Sequence, residues 1–245
     1  MIKIYKIFIL LIVVSVFPLS SFADVDRQAA GAITFMIGDV FVSPDGDKWV
    51  DAGFDMEIYR GDQLKTGVES RCEITLKDGT VVRMDEQSIQ KFEEVLFDKT
   101  SKEVSILLSS GKVWLNVRKI ISKNDSFQVR TNKAVCAIRG TTFGVDTDEN
   151  YTRINVHKGV VATWSSFFDR AGQESDKDAA ISEPYPVAGP HPVSMEKWVE
   201  IVKAFQQITI DNKGKYEKQP LDVRTLSEDP WVVWNMTRDS VTNKQ

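Results

Sequence analysis

Two histidines, two cysteines, one short acidic run and one Arg-Gly-Thr element are the places in this 245-residue sequence where side chains could do more than pack. The histidines are His157 and His191. A structural zinc site takes four N or S ligands, and a catalytic one keeps three. His157 shares a predicted strand face with Arg153 and Asn155, and His191 stands between Pro190 and Pro192, so neither has ligand spacing. A Ser-His-Asp arrangement would have to use one of these two, and the chain holds no Gly-x-Ser-x-Gly elbow. Asp146-Thr147-Asp148-Glu149-Asn150 opens like a calcium loop. Tyr151 then stands where that loop needs glycine, and His157 where it needs a bidentate glutamate. The run reads as the solvated tip of a hairpin. No catalytic residue, metal ligand or cofactor site is expected, and the protein is not expected to be an enzyme.

Arg139-Gly140-Thr141 could hold an anion through its guanidinium and backbone N–H groups. The favoured reading is a structural corner, with Gly140 at positive φ and Arg139 paired to a neighbour. Cys72 and Cys136 both fall on inward faces, as buried thiols or, if their strands lie side by side, as a disulfide. Trp49, Trp114 and Trp164 could line a sugar-binding surface by stacking, or fill core and edge. Trp114 lies opposite the inward set Val113, Leu115 and Val117, so it is either exposed or covered by the C-terminal segment. Trp114, Trp198, Trp231 and Trp234 are the aromatics available to meet a partner.

The elements that would position these residues are short strands. In Arg71–Lys77, Cys72, Ile74 and Leu76 share one face. The same period of two runs through Lys112–Val117, through Phe127, Val129 and Thr131, and through Thr152, Ile154 and Val156. Lys77-Asp78-Gly79-Thr80 between two such runs reads as a hairpin turn. The predicted fold is mainly β, an antiparallel sandwich or jelly roll, with a short β-solenoid as the alternative. The expected β domain covers residues 24–164. A linker follows over 165–194, where Pro184, Pro186, Pro190 and Pro192 replace the periodic apolar residues. Over 195–245 the sequence predicts a helix and a tail. Trp198, Ile201, Val202, Phe205 and Ile208 fall at helical spacing after Ser194, placing an amphipathic helix at 195–207.

Residues 1–23 read as a secretory leader: Lys3 and Lys6, an apolar run from Ile7 to Phe17, then Ser21-Phe22-Ala23. The run is too short to span a bilayer. Cleavage after Ala23 is expected, giving a periplasmic or secreted protein with no membrane span. Losing the leader moves the formal charge from −4 to −6. A mildly acidic protein is a poor binder of nucleic acid.

From about Gly31 to Trp164 the sequence resembles the FecR domain family. The resemblance rests on Gly38-Asp39-Val40, Gly61-Asp62-Gln63-Leu64-Lys65-Thr66-Gly67, Leu76-Lys77-Asp78-Gly79-Thr80 and Leu108-Ser109-Ser110-Gly111-Lys112-Val113. Val129-Arg130-Thr131, Arg139-Gly140-Thr141-Thr142-Phe143 and His157-Lys158-Gly159-Val160-Val161 continue it in order. The resemblance implies a domain outside the inner membrane, best known from regulators that relay an iron-siderophore signal to a sigma factor, and it implies no catalytic residues. Those regulators carry an anti-sigma segment and a transmembrane helix ahead of the domain; here a freestanding exported version is expected. The implied function is a protein-protein interaction or envelope-sensing module with a protein partner in the envelope. A cell-wall polysaccharide-binding domain is the alternative.

Overall fold

The computed structural model describes residues 28–44, 46–98, 100–119, 122–166 and 199–242. The expected leader, the linker beyond Ser166, His191 and Trp198 lie outside the described residues. Among the described residues, alternating side chains become seventeen strands in one continuous, unclosed sheet that doubles over into two layers. Strands are numbered in chain order. The first layer runs β4 (Glu57–Tyr59), β1 (Ala29–Ile37), β6 (Arg71–Leu76), β7 (Val81–Met84), the second half of β9 (Lys102–Asn116), β12 (Thr142–Thr147), β13 (Tyr151–Lys158), β16 (Gln206–Asp211) and β17 (Tyr216–Pro220). Every pairing in it is antiparallel. The second layer runs β3 (Val50–Asp51), β2 (Val40–Ser43), β5 (Gln63–Thr66), β8 (Ile89–Phe97), the first half of β9, β10 (Ser126–Arg130), β11 (Ala134–Ile138), β14 (Val160–Ser165) and β15 (Glu200–Lys203). The β9–β10 pair is parallel, which makes the sheet mixed.

Strand β9 belongs to both layers. Ser110 still faces Ile89 in the second layer, and the next residue, Gly111, faces Thr147 in the first. Gly111 has φ +89°, and a Cβ there would lie 2.5 Å from Ser88 Cα. Only glycine lets the strand pass so close to Ser88, whose hydroxyl accepts from Lys112 N–H and donates to the Lys112 carbonyl. Between the layers lies one apolar core, in which Ile33, Ile74 and Val82 of the first meet Val42, Phe92 and Ile106 of the second. The sandwich reading holds, and the solenoid alternative is not needed.

The expected helix over 195–207 is corrected. Glu200–Lys203 and Gln206–Asp211 are strands, joined by a tight turn in which Phe205 takes φ +61°. Val202, Ile208 and Ile210 point into the core, while Ile201 and Phe205 stay exposed. The apolar residues fit a period of two as well as a helical stripe, and pairing with β14 and β13 selects the strands. Residues 200–220 therefore extend both layers of the β domain.

Two helices close the chain, α1 (Val223–Glu228) and α2 (Pro230–Thr242). Asp229 caps α2: its carboxylate accepts from Trp231 N–H at 2.8 Å, and Pro230 fills the first helical position.

Candidate functional site: a capped face and an open groove

Each layer has an outer face, and the two differ. On the first layer, strand register sets Phe35, Glu73, Arg83, Trp114, Gly144 and Asn155 side by side across six strands. Outward residues of an antiparallel sheet normally meet water. Here α2 covers them, and Arg83 and Trp114 are 0% and 1% exposed.

The cover is polar as much as apolar. Arg83 pairs with Glu73 at 2.6 Å and with Asp239 of α2 at 2.7 Å. Arg238 grips both carboxylate oxygens of Glu73 at 3.0 Å. The Trp114 indole N–H donates to Asp239 at 3.0 Å, and Asn235 accepts from Arg83 at 3.3 Å. Trp231 and Trp234 stack at 5.4 Å beneath Arg71, and Arg238 lies 4.3 Å above Phe35. Trp231 packs on Trp114. Burial alone would raise the Glu73 carboxyl; the hydrogen bonds from Arg238 and Arg83 outweigh it and hold its pKa below the ordinary range.

His157 stacks on Trp114 with ring centroids 4.4 Å apart. Desolvation lowers its pKa to about 4 against the raising influence of Asp239. It is a neutral packing residue under α2, away from the position a calcium loop would give it. The acidic run is closed on itself: Asp148 accepts from the N–H groups of Asn150 and Tyr151. Among the described residues no three His, Cys, Asp or Glu side chains could hold a metal ion.

The second layer has an open outer face. Between β10, β11 and β14 the small side chains of Ser126, Ala137 and Ala162 leave a groove of about 380 Å³, walled by Gln128, Val160 and Arg139. Arg139 is exposed. The Arg-Gly-Thr element thus divides. Gly140 has φ +69° with Lys119 Cα 3.0 Å from where a Cβ would stand, and the Thr141 hydroxyl bonds both the carbonyl and the N–H of Val160. Those two build a corner; Arg139 faces solvent.

The cysteines are free. Cys72 lies on β6 in the first layer and Cys136 on β11 in the second, with its sulfur 3.8 Å from the Thr163 hydroxyl. Burial pushes both thiols up to about 12. The disulfide considered from sequence is not formed. Trp114 and Trp231 are corrected as partner contacts, since each buries the other, and Trp234 is half-covered in the same stack. Trp49, under Lys65 at 4.6 Å, and Trp164 of β14 share no face with Trp114. The sequence reading missed Glu73, Arg83, Arg238 and Asp239. Arg83 inside Val81–Met84 was the available signal, because an unpaired charge in so apolar a strand demands a partner.

This is a two-layer β module with a helix-capped face, and its central part is a known one. Residues 62–162 match the family model described as FecR protein. The match takes in β5 to β14 and the groove, and stops before β15 and the helices. Two crystal structures of a protein from Parabacteroides distasonis ATCC 8503, described as "a putative anti-sigma factor", align with TM-score 0.44 and 20% identity. The alignment covers 67% of this chain and 62% of that one. No curated protein matches the sequence.

Proposed function

We propose that this chain is an exported, non-catalytic FecR-domain module that works by binding a protein partner in the cell envelope. The observation that carries this reading is the FecR match over residues 62–162. The leader-like order of residues 1–23 supports export. The sugar-binding alternative needs an exposed coplanar aromatic pair; Trp114 is buried beneath α2 and shares no face with Trp49 or Trp164.

The test is made on the full chain in its own bacterium. Fractionation followed by mass spectrometry of the N-terminus should find the protein in the envelope fraction, starting at Asp24. In-cell cross-linking should then join it reproducibly to one envelope protein. An intact Met1 in the cytoplasmic fraction would overturn export. Recovery without any cross-linked protein, from cells in which a control pair cross-links, would overturn the partner-binding reading.

A further inference from the structure

The open groove on the second layer has a chemistry of its own. Its floor is small and apolar, and exposed Val160 (46%) and Ile201 (44%) stand along its β14–β15 side. Its volume falls within the ~300–1,000 Å³ range of ligand-holding clefts. Arg139 and Asp125 both line it, and around them the cations outnumber the acids. Arg139 forms the wall, and Lys203 stands directly opposite Val160 on β15. Lys158 ends β13 one residue before the Gly159 turn into Val160, and Lys119 packs against Gly140. All four are exposed, and none is in an ion pair among the described residues.

The acids nearby are fewer and partly engaged. Asp125 accepts from the N–H groups of Lys102 and Ser122, and Glu200 is held by Lys218 at 2.7 Å. Glu103, opposite Ser126, is exposed. On a chain of formal charge −4, four unpaired cations around one apolar dip form a local field opposite to the net charge. Among the described residues, strand β15 is also the edge of the second layer, pairing with β14 alone.

We propose that this groove is the partner-binding site of the module, and that its ligand is an acidic extended protein segment. One apolar side chain would enter the dip over Ala137 and Ala162, and flanking carboxylates would meet Arg139 and Lys203. The proposal rests on the reading of the chain as a partner-binding module. A concave floor receives a side chain, whereas an anionic membrane would meet a convex basic surface; this favours a protein segment over a lipid headgroup.

Two measurements on the full chain test it. The first is fluorescence anisotropy with the labelled peptide Asp-Glu-Phe-Leu-Asp-Glu, its Lys-substituted counterpart, and phosphatidylglycerol vesicles. The acidic peptide should bind, and Arg139→Glu or Ala162→Phe should weaken it about tenfold or more. Equal binding by both variants, or vesicles binding while the peptide does not, overturns the proposal. The second places a photo-cross-linking amino acid at Val160 or, as a control, at exposed Met236 on α2, in cells. An envelope protein captured at position 160 and not at 236 supports the groove. Capture at 236 and not at 160 sinks the groove and leaves the module reading standing, whereas capture at neither overturns both.

Discussion

Arg83 is the residue on which the capped face turns. It is fully buried, and its two carboxylate partners come from opposite sides of an interface, Glu73 from the sheet and Asp239 from α2. Removing one member of a buried ion network leaves the others charged and unpaired, which costs about 3–5 kcal/mol. Arg83→Met should therefore lower unfolding stability by about that much in urea titration, and Asp239→Leu added to it should restore part of the loss. His157 makes a prediction about pH. Its folded-state pKa of about 4 lies below the ordinary histidine value of 6.5. Between those values the unfolded chain holds a proton that the folded protein refuses, so stability falls as pH drops through this window and is unaffected above it. The contribution is on the order of 3 kcal/mol by pH 4. Comparing the pH dependence of unfolding in the native protein and in His157→Phe isolates it. Parallel curves would show that the imidazole titrates freely beneath α2.

Helix α2 is the element whose loss should be felt furthest. Ending the chain at Asp229 would uncover Trp114, Arg83 and Glu73 together, one large ring and two charges that α2 keeps from water. The truncated protein should melt about 10 °C lower or more, on the scale of 2–4 °C per kcal/mol for a domain of this size, and should bind ANS. An unchanged melting temperature would mean the helix rests on the sheet without stabilising it. What the sequence showed of the elements follows from how local their causes are. The alternation in Arg71–Lys77 and the Asp78-Gly79 turn needed only neighbours, and β6, β7 and their hairpin stand as expected. The stripe from Trp198 to Ile208 was ambiguous because the deciding partners, β14 and β13, lie about 40 and about 55 residues earlier in the chain. Helix α2 carried its own start signal in Asp229-Pro230 and its burden in Trp231 and Trp234. Its seat was not legible, since it depends on Glu73, Arg83 and Trp114 arriving side by side from three strands. The groove was invisible for the same reason: Gln128, Ala137 and Ala162 are unremarkable until β10, β11 and β14 set them in one row.

At the scale of the molecule, β9 makes the two layers one cooperative unit. Its crossing at Gly111 admits no side chain, so Gly111→Val should cost more than the roughly 1–3 kcal/mol typical of a strained backbone position, because Ser88 must also move. Hydrogen exchange should show β12 in the first layer and β10 in the second losing protection together in that variant; separate loss would mean the layers are independent. The first strand and the last helix also meet, Phe35 lying 5.8 Å from Trp234 and 4.3 Å from Arg238. The stretch from Glu200 to Thr242 is thus joined to the rest along three lines: β15 on β14, β16 on β13, and α2 on the outer row. A protease site engineered between Ser166 and Val199 would sever the backbone and leave all three seams in place. The halves should then elute together from a sizing column, and separately expressed fragments should reconstitute each other, so the module can be handled as a two-piece reporter.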